Sequence, residues 1–355
     1  MSQVAYFTPE IAIDNRLNTY VGGLADVSGS FLRAAFNSEE MSTVGVTILC
    51  QNGHYRQKIG PNGMEISYQE CNFNDFFEDT GKRVKIQLGD NPNVSLAIKL
   101  LRPGIFKIAK IVGLDANLPE NDELSKSNCH SFYPGDIGKK LAQMVILGIG
   151  GVKALEALQI PVDIYHLNEG YSFLATVELI RQKMAAGFNF QETLNRVKQQ
   201  TVFTTHTPQM SGNEFYDLDL MFKVGCFPGF TKAEAISLGG NPFNNTVAAF
   251  RTAKRANAVS KSHDEIANRI WAWVEGKCEI VPITNGIDVD FWQLPEFKGD
   301  KAPEELRATK IQYQRVFFPR INELFAKDFR ENLFTLVWAR RYDEYKRPGL
   351  IFRDR

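Results

Sequence analysis

Apolar residues recur along the chain at two alternating spacings, which predict alternating strands and helices. The strand-like runs, which are short and rich in β-branched and aromatic residues, are "VAYF", "VDIYHLNEG", "QQTVFTTHTP" and "CEIVPITNGIDVDFW". Between them, positions such as Leu24, Val27, Phe31 and Ala35 recur at helical spacing. Alternation of this kind favours an α/β fold with a largely parallel sheet.

Turn and cap signals refine this prediction. Asn52-Gly53 predicts one hairpin, and "RVKIQLGDNPNVSLAIKLL" predicts a second. Ser262 and Glu265 have the spacing of a capping box at the start of a helix. Two longer segments are predicted to be helical, 136–158 and 303–329, and a new strand is expected to begin at Leu333.

Composition narrows the class of protein. The 355 residues suffice for about two domains. Lys plus Arg (41) equal Asp plus Glu (41), so charge gives no argument for nucleic acid or an anionic membrane as a partner. The five cysteines are scattered and odd in number, which favours reduced thiols and no metal site. Without a signal-like start or a long apolar run, we expect a cytoplasmic protein.

Polar and glycine-rich turns follow several predicted strands. Gly22 and Gly23 precede a helix, where backbone N–H groups could approach an anion or a sugar, or simply form a tight turn. His206 follows the strand "VFTT" and could contact a sugar hydroxyl or tie down its own loop. Ligands of open α/β sheets lie outside the carboxyl ends of strands, so these turns predict one cleft.

Two further turns and the end of the chain contain residues that could bind a ligand, and each also has a purely structural interpretation. Asn168 and Glu169 could contact a ligand, although Asn168 could equally cap the next helix. Thr284 and Asn285 could contact a ligand or form a plain Asn-Gly turn. The strand predicted at Leu333 runs into a cluster of cations that suits an anion or a solvated basic face, namely Arg340, Arg341, Lys346 and Arg347. The chain contains no nucleophile elbow, P-loop, zinc-protease motif or dinucleotide fingerprint.

Nine segments, taken in order, resemble the α-glucan (glycogen, maltodextrin) phosphorylases, most of all their shorter bacterial and archaeal branch. They are "VAYFTPEIAI", "YVGGLADVSGSFLRAA", "VGVTILCQNGHYRQ", "LGIGGVKALEAL", "HLNEGYSFLATVELIR", "TVFTTHTP", "ANAVSKSHDEI", "ITNGIDVDFW" and "ARRYDEYKRPGLIFRD". The glycine loop also resembles that of glycogen and starch synthases, which carry a Lys where this chain has Tyr20.

The resemblance implies a GT-B type glycosyltransferase of two facing Rossmann-like domains. Residues 1–330 would form the N-terminal domain, with a doubly wound sheet, and 331–355 the first strand and turn of a second domain. Family members transfer a glucosyl unit from the non-reducing end of an α-1,4-glucan to phosphate, with retention, giving glucose 1-phosphate. The implied partners are α-glucan or maltodextrin with phosphate or glucose 1-phosphate, and a homodimer is left open.

The same resemblance assigns roles to individual residues. Gly22, Gly23 and Leu24 would form the loop near the phosphates and glucose, and His206 would contact the transferred glucose. Arg341 and Lys346 match the pair that binds substrate phosphate, where Arg gives a bidentate grip and Lys a point charge.

Two departures from the family pattern qualify the resemblance. Tyr171 stands where the family carries a His after "NEG". The family holds pyridoxal phosphate on a Lys in a "GTxNMK"-like segment beyond the phosphate-binding pair, and no such segment occurs in this chain. We therefore expect these 355 residues to be incomplete and inactive alone. The alternatives are a glucan synthase that uses a nucleotide sugar, disfavoured by Tyr20, and a noncatalytic glucan-binding relative, favoured by Tyr171.

Overall fold

The structure, a computed structural model, divides into two compact units, 1–288 and 289–355. Within them it describes residues 2–61, 63–207, 209, 213–331, 333–338, 347 and 349–353.

The strands of the first unit are bounded as follows: β1 Ser2–Phe7, β2 Met41–Ile48, β3 Arg56–Gly60, β4 Gly63–Ser67, β5 Phe77–Leu88, β6 Asn91–Leu101, β7 Lys110–Asp115, β8 Ile164–Asn168, β9 Thr201–Thr205, β10 Phe215–Tyr216, β11 Phe243–Asn244, β12 Arg255–Ala258 and β13 Glu279–Pro282. In the described residues, nine of them form one sheet in the order β13-β12-β9-β8-β1-β2-β7-β6-β5. From β13 to β7 all pairs are parallel, and β6 and β5 join one edge antiparallel. The predicted α/β class with a mostly parallel sheet is confirmed.

The helices of the first unit cover both faces of this sheet. They are α1 Gly23–Phe36, α2 Glu123–Ser127, α3 Ile137–Val145, α4 Gly151–Ala157, α5 Leu174–Ala185, α6 Phe190–Gln199, α7 Leu218–Val224, α8 Lys232–Gly239, α9 Asn245–Thr252 and α10 Lys261–Ile270. Successive residues of β1 show the two layers, because Ala5 and Phe7 belong to one apolar cluster and Tyr6 to the other. A sheet covered in this way fits a Rossmann-like domain.

A glycine-rich segment brings one helix unusually close to the sheet. Residues Ile146–Gly150 form a π-helical turn between α3 and α4. A Cβ on Gly148 would lie 2.5 Å from the backbone nitrogen of Ala175, and one on Gly151 would lie 2.6 Å from Cε1 of Phe7. Neither space admits a side chain, so glycine is what allows this close packing.

The first predicted hairpin is wrong, whereas the second is confirmed as β5–β6. Asn52-Gly53 does form a tight turn, in which the N–H of Gly53 donates to the carbonyl of Cys50 at 3.0 Å. The strand before it, however, is held in parallel between β1 and β7, and the strand after it pairs with β4. Both edges of β2 are therefore occupied, and no edge remains for a hairpin partner.

The predicted capping box of α10 is also displaced. Ser260, rather than Ser262, is the N-cap: its Oγ accepts the N–H of His263 at 3.1 Å. β12 already ends at Ala258, so the chain turns into the helix two residues earlier than the spacing of Ser262 and Glu265 implies.

The second unit contains α11 Val289–Trp292 and α12 Pro303–Phe325, so the long predicted helix ends four residues early. The described residues 333–338 contain no strand, although one is predicted to begin at Leu333. An isolated strand gains nothing without a neighbour to accept its hydrogen bonds, and no described strand pairs with this segment. Among the described helices, none is both long and apolar enough to cross a membrane.

Candidate active site at the strand ends

The order of strands reverses beside β1, and the candidate residues gather there. β1 pairs with β2 on one side and with β8 on the other. From β1 the chain first builds the sheet outward through β2, and later returns to β8 and builds toward β13. Ligands of open α/β sheets bind outside the carboxyl ends of strands at such a reversal. The residues that end or follow β1, β8 and β9 are therefore the ones to consider.

The glycine loop lies at the end of the segment that joins β1 to α1, and a buried carboxylate holds it. Gly22 is the N-cap of α1, and it provides no side chain to cap the helix. The N–H groups of Val21 and Gly22 donate to Oε2 of Glu10, at 2.5 and 3.1 Å. A Cβ on Gly22 or Gly23 would meet no atom within 4 Å, so the space above the loop is open. The carboxylate of Glu10 thus fixes the loop, and the space around Gly22 and Gly23 remains open to a ligand.

Asn168, only 1% exposed, is the centre of a buried hydrogen-bond network. Its Nδ2 donates to Oγ1 of Thr8 at 3.1 Å and to Oγ of Ser28 at 3.0 Å. Both hydroxyls donate their own protons to backbone carbonyls, those of Glu10 and Leu24. The orientation of the amide is therefore fixed, and its Oδ1 remains free to accept. The short 3-10 turn that follows is capped by the next residue, so Asn168 does not act as the cap.

His206 donates to that amide oxygen. Its Nε2 lies 2.7 Å from Oδ1 of Asn168, and because an amide oxygen only accepts, the proton is on Nε2. Burial lowers the pKa of His206, although the carboxylate of Glu169 opposes the shift. The ring is therefore neutral at pH 7, with Nδ1 as an acceptor. Such a ring can accept a hydrogen bond from a sugar hydroxyl.

Glu169 has a strained backbone and holds the neighbouring turn. Its φ of 67° lies in a region that residues with a side chain rarely adopt. Its carboxylate accepts hydrogen bonds from the N–H of His206 at 2.7 Å, from Oγ1 of Thr207 at 3.1 Å and from the N–H of Gly170 at 3.2 Å. Strain of this kind persists only where the surroundings enforce it, and it concentrates at functional sites.

A cavity of about 220 Å³ opens beside these groups. Leu24 of the glycine loop, Glu169 and Thr207 form part of its wall, and the rings of Tyr133 and Tyr171 form another part. This volume is below the range of drug-sized ligands and suits one small unit. Aromatic faces beside hydrogen-bonding groups suit a ligand that is both apolar and hydroxylated, such as a sugar ring.

Two charged residues of the wall, Lys140 and Glu214, form an ion pair. Nζ of Lys140 lies 2.7 and 2.9 Å from the two carboxylate oxygens of Glu214, and the hydroxyl of Tyr216 donates to the same carboxylate at 2.6 Å. Burial alone would raise the pKa of Glu214, but these two partners together lower it. The carboxylate of Glu169 likewise already accepts three hydrogen bonds. In the described wall, no carboxyl is therefore set up as the proton donor that glycoside hydrolysis requires.

Tyr171, which stands where the phosphorylases that the chain resembles carry a His, is fixed by its neighbours. Its hydroxyl donates to Oε1 of Gln143 at 2.7 Å, and its ring meets that of Tyr133 edge-on, with centroids 5.5 Å apart. Burial raises the pKa of Tyr171, so it remains a neutral phenol. The cavity wall therefore carries a ring here that cannot act as an imidazole.

Asn245 leaves one polar atom of the cavity wall without a partner. The residue is 5% exposed, and its Nδ2 donates to Sδ of Met144 at 3.2 Å. Its Oδ1 is buried and accepts no hydrogen bond from the described residues. A buried carbonyl without a donor is costly, and a ligand that donates a hydrogen bond here would remove that cost.

Of the predicted site residues, Leu24 and Glu169 line the cavity, whereas Gly22, Gly23, Asn168 and His206 are not part of its described wall. The remaining predicted residues lie elsewhere. Thr284 and Asn285 follow β13 and are exposed, and the N–H of Asn285 donates to the carbonyl of Val259 at 3.0 Å. In the described part of the molecule they do not line the cavity. Arg341 and Lys346 lie outside the described residues.

Sequence reasoning missed several residues of this site. Glu10, Tyr133 and Lys140 were not among the candidates, nor were Glu214 and Asn245. Only Glu10 had a local signal, an acidic residue directly after a predicted strand at its carboxyl end. The others come from helices and loops far along the chain, and only the fold brings them to the cavity.

Comparisons with known proteins identify relatives that align with nearly the whole chain. An uncharacterized protein of Methanocaldococcus jannaschii is 37% identical over 358 residues, covering 100% of this chain and 66% of its own length. The maltodextrin phosphorylase of Thermococcus litoralis is 27% identical over 402 residues, covering 99% of this chain and 48% of its own length. The glycogen phosphorylase of Aquifex aeolicus is 25% identical over 414 residues, covering 99% and 59%. No protein-family model matches the chain.

Over nearly its whole length the chain is similar to maltodextrin and glycogen phosphorylases, at 24–27% identity. The resemblance that the nine segments indicated is thereby confirmed over nearly the whole chain. The chain spans less than two thirds of the length of each of these relatives, and about half of the maltodextrin phosphorylase. That share is consistent with the N-terminal part of a phosphorylase, and it agrees with the Rossmann-like sheet of the first unit.

Proposed function

We propose that this chain provides the N-terminal, glucan-binding domain of a GT-B type α-1,4-glucan phosphorylase. The reaction transfers a glucosyl unit from the non-reducing end of an α-glucan to phosphate and yields glucose 1-phosphate. The supporting observation is the cavity beside the Asn168–His206 hydrogen bond, placed at the strand reversal in a chain that is similar to phosphorylases. Residues 331–355 are proposed to begin the second domain.

The proposed roles follow from the hydrogen bonds. The terminal glucosyl unit lies in the cavity, and Nδ1 of the neutral His206, the residue before Thr207 of the cavity wall, accepts a hydrogen bond from one of its hydroxyls. Asn168 is a positioning residue, because it fixes the tautomer and orientation of that ring. Glucosyl transfer passes through an oxocarbenium-like state, which a phosphate held close beneath it stabilises.

The phosphate is proposed to be held between the glycine loop and two cations. Gly22, Gly23 and Leu24 provide the open side of the loop, and Arg341 and Lys346 provide the charge. Thr284 and Asn285 keep a proposed role as ligand contacts at the end of β13.

The cofactor of the family does not fit the described residues. Pyridoxal phosphate is held in phosphorylases on a Lys as a Schiff base, and it supplies a phosphate beside the substrate phosphate. In the described wall of the cavity the lysine is Lys140, whose ammonium is bound by both carboxylate oxygens of Glu214. An amine held in this ion pair is not available as a Schiff-base partner. No step proposed here involves the cofactor.

The test separates binding from turnover. The 355-residue chain is titrated with maltoheptaose in a calorimeter, and then incubated with maltodextrin, phosphate and pyridoxal phosphate. We expect glucan binding without release of glucose 1-phosphate. Asn168→Ala should abolish binding, and Asn195→Ala, on the exposed face of α6, should not. Absence of binding would refute the proposed function, and release of glucose 1-phosphate would refute the proposal that the chain is inactive alone.

A noncatalytic glucan-binding protein is the second candidate, favoured by Tyr171. Its phenol, tied to Gln143, replaces a group that the family keeps as His. If this second function is correct, Tyr171→His leaves glucan affinity unchanged and confers no turnover on a polypeptide that also carries the remaining family segments. The synthase alternative would require incorporation of labelled glucose from ADP-glucose or UDP-glucose, which Tyr20 disfavours.

A further inference from the structure

Two asparagines stand at the start of α9, and the first of them caps the helix. Oδ1 of Asn244 accepts the N–H of Val247 at 2.9 Å, and its Nδ2 donates to two backbone carbonyls at 3.2 and 3.3 Å. Among the described residues, the side chain of Asn245 makes one hydrogen bond, from Nδ2 to Sδ of Met144 at 3.2 Å. A thioether sulfur is a weak acceptor, so this contact gives little reason for an amide at position 245.

The carbonyl end of the Asn245 amide has no partner in the described residues. Asn245 is 5% exposed and belongs to the wall of the cavity, and its Oδ1 is buried without a hydrogen bond from any described group. Leucine has a similar shape and would leave no polar atom in this place. The fold of the described residues therefore does not require the amide. A ligand in the cavity would explain it, because a buried carbonyl that gains a donor is no longer unsatisfied.

The described wall offers such a ligand acceptors rather than donors. Each side-chain hydroxyl of this wall already donates its proton to a protein oxygen, namely those of Tyr133, Tyr171, Thr207, Tyr216 and Thr246. The ammonium of Lys140 is likewise paired with Glu214. The ligand must therefore supply the hydrogen-bond donor itself, as a sugar hydroxyl can and a phosphate dianion cannot.

We propose that Asn245 is a specificity-determining residue, whose Oδ1 accepts a hydrogen bond from a hydroxyl of the glucosyl unit in the cavity. This inference rests on the proposed function, which places that unit there. His206, after β9, is proposed to accept from one hydroxyl, and Asn245, on α9, accepts from a second. Two acceptors on different elements select a ligand by the positions of its hydroxyls, because a ligand that lacks either hydroxyl leaves an acceptor unpaired.

Asn245→Leu separates a role in binding from a role in folding. It removes the amide and keeps a side chain of similar shape, so we expect maltoheptaose to bind about tenfold more weakly to the full chain in a calorimeter. Because the unpaired carbonyl is lost as well, the urea midpoint of the free chain should be unchanged or higher. Asn195→Leu, on the exposed face of α6, should leave the affinity unchanged. If leucine prevents folding, Asn245→Ala takes its place in the same titrations.

Analogues of maltoheptaose that lack one hydroxyl of the terminal non-reducing unit identify the group that Asn245 binds. In the unmodified chain, we expect the analogue without that hydroxyl to bind about tenfold more weakly than maltoheptaose. In Asn245→Leu the same analogue should bind as well as maltoheptaose, because the acceptor has been removed. An analogue that lacks the hydroxyl bound by His206 should be weakened equally in both chains.

The inference and the proposed function fail in different ways. The inference would be overturned if Asn245→Leu bound maltoheptaose as tightly as the unmodified chain, or if every analogue lost the same affinity in both chains. Either result leaves the proposed function standing, because maltoheptaose still binds. A lower urea midpoint with unchanged affinity would assign the amide to folding instead. If the unmodified chain does not bind maltoheptaose, the proposed function is wrong and the inference is lost with it.

Discussion

At the scale of single residues, the buried Asn168 amide has the strongest influence on the site. Asn168→Ala removes the acceptor of His206 and the donor to Thr8 and Ser28. Because these groups are left with fewer partners in a buried place, we expect a loss of about 2–3 kcal/mol in the free energy of unfolding. Urea denaturation measures it. The surface change Asn195→Ala should cost less than about 0.5 kcal/mol, and an equal cost in both variants would contradict this reasoning.

Two buried titratable groups act on stability in opposite directions. Burial raises the pKa of Glu10 from 4.5 to about 7, so its contribution to stability is present below pH 4.5 and is lost as the pH rises to 7. Burial lowers the pKa of His166 from 6.5 to about 4, so its contribution is present above pH 6.5 and is lost as the pH falls to 4. In the unmodified chain, the opposite changes with pH that the two groups cause in the free energy of unfolding largely cancel.

Glu10→Gln should remove the contribution of Glu10, so that the pH dependence of stability due to His166 becomes visible. We expect the difference in free energy of unfolding, variant minus unmodified chain, to grow by about 3 kcal/mol from pH 4.5 to pH 7, since one pKa unit corresponds to about 1.4 kcal/mol. Urea denaturation at a series of pH values measures this difference. Glu39→Gln, at an exposed position, should give a curve parallel to that of the unmodified chain. A parallel curve for Glu10→Gln would show that Glu10 titrates normally.

At the scale of elements, the close approach of the glycine-rich segment to α5 is the most demanding contact. In Gly148→Ala the new Cβ would meet the backbone nitrogen of Ala175 at 2.5 Å, and backbone atoms cannot rotate away. We expect a destabilisation of about 2–3 kcal/mol, seen as a lower urea midpoint. Gly135→Ala, where a Cβ meets nothing within 4 Å, is the matched control. Equal midpoints for the two variants would mean that the helices separate at little cost.

The elements also show how far the sequence alone could lead. Local patterns sufficed for β1, β8 and the β5–β6 hairpin, because period and turn residues determine them. They failed at Asn52-Gly53, since the partner of β2 is decided by strands distant in sequence. In the same way, His206 could be predicted as a site residue from its place after a strand. The hydrogen bond from Tyr133 to Glu10 could not, because the two residues lie 123 positions apart in the sequence. Contacts of that range depend on the completed sheet.

At the scale of the whole molecule, the apolar core lies entirely in the first unit. Both apolar clusters and the described sheet fall within residues 1–288. In the second unit Phe318 is the buried apolar residue among those described, whereas Val316 is 79% exposed and Phe334 90% exposed. Burial of apolar surface is the main source of folding free energy. The first unit therefore contains what is needed for folding.

A chain cut to residues 1–288 should consequently fold alone. We expect a single cooperative urea transition, with a midpoint close to that of the 355-residue chain, and unchanged pH dependence from Glu10 and His166. The peptide 289–355 should show little helix by circular dichroism, because a helix without a buried face is marginal in water. A matched truncation at residue 270 removes β13, one of the two strands that pair with β12, so that chain should unfold at lower urea. If the cut at 288 lowers stability as much as the cut at 270, the core of the first unit does not suffice for its fold.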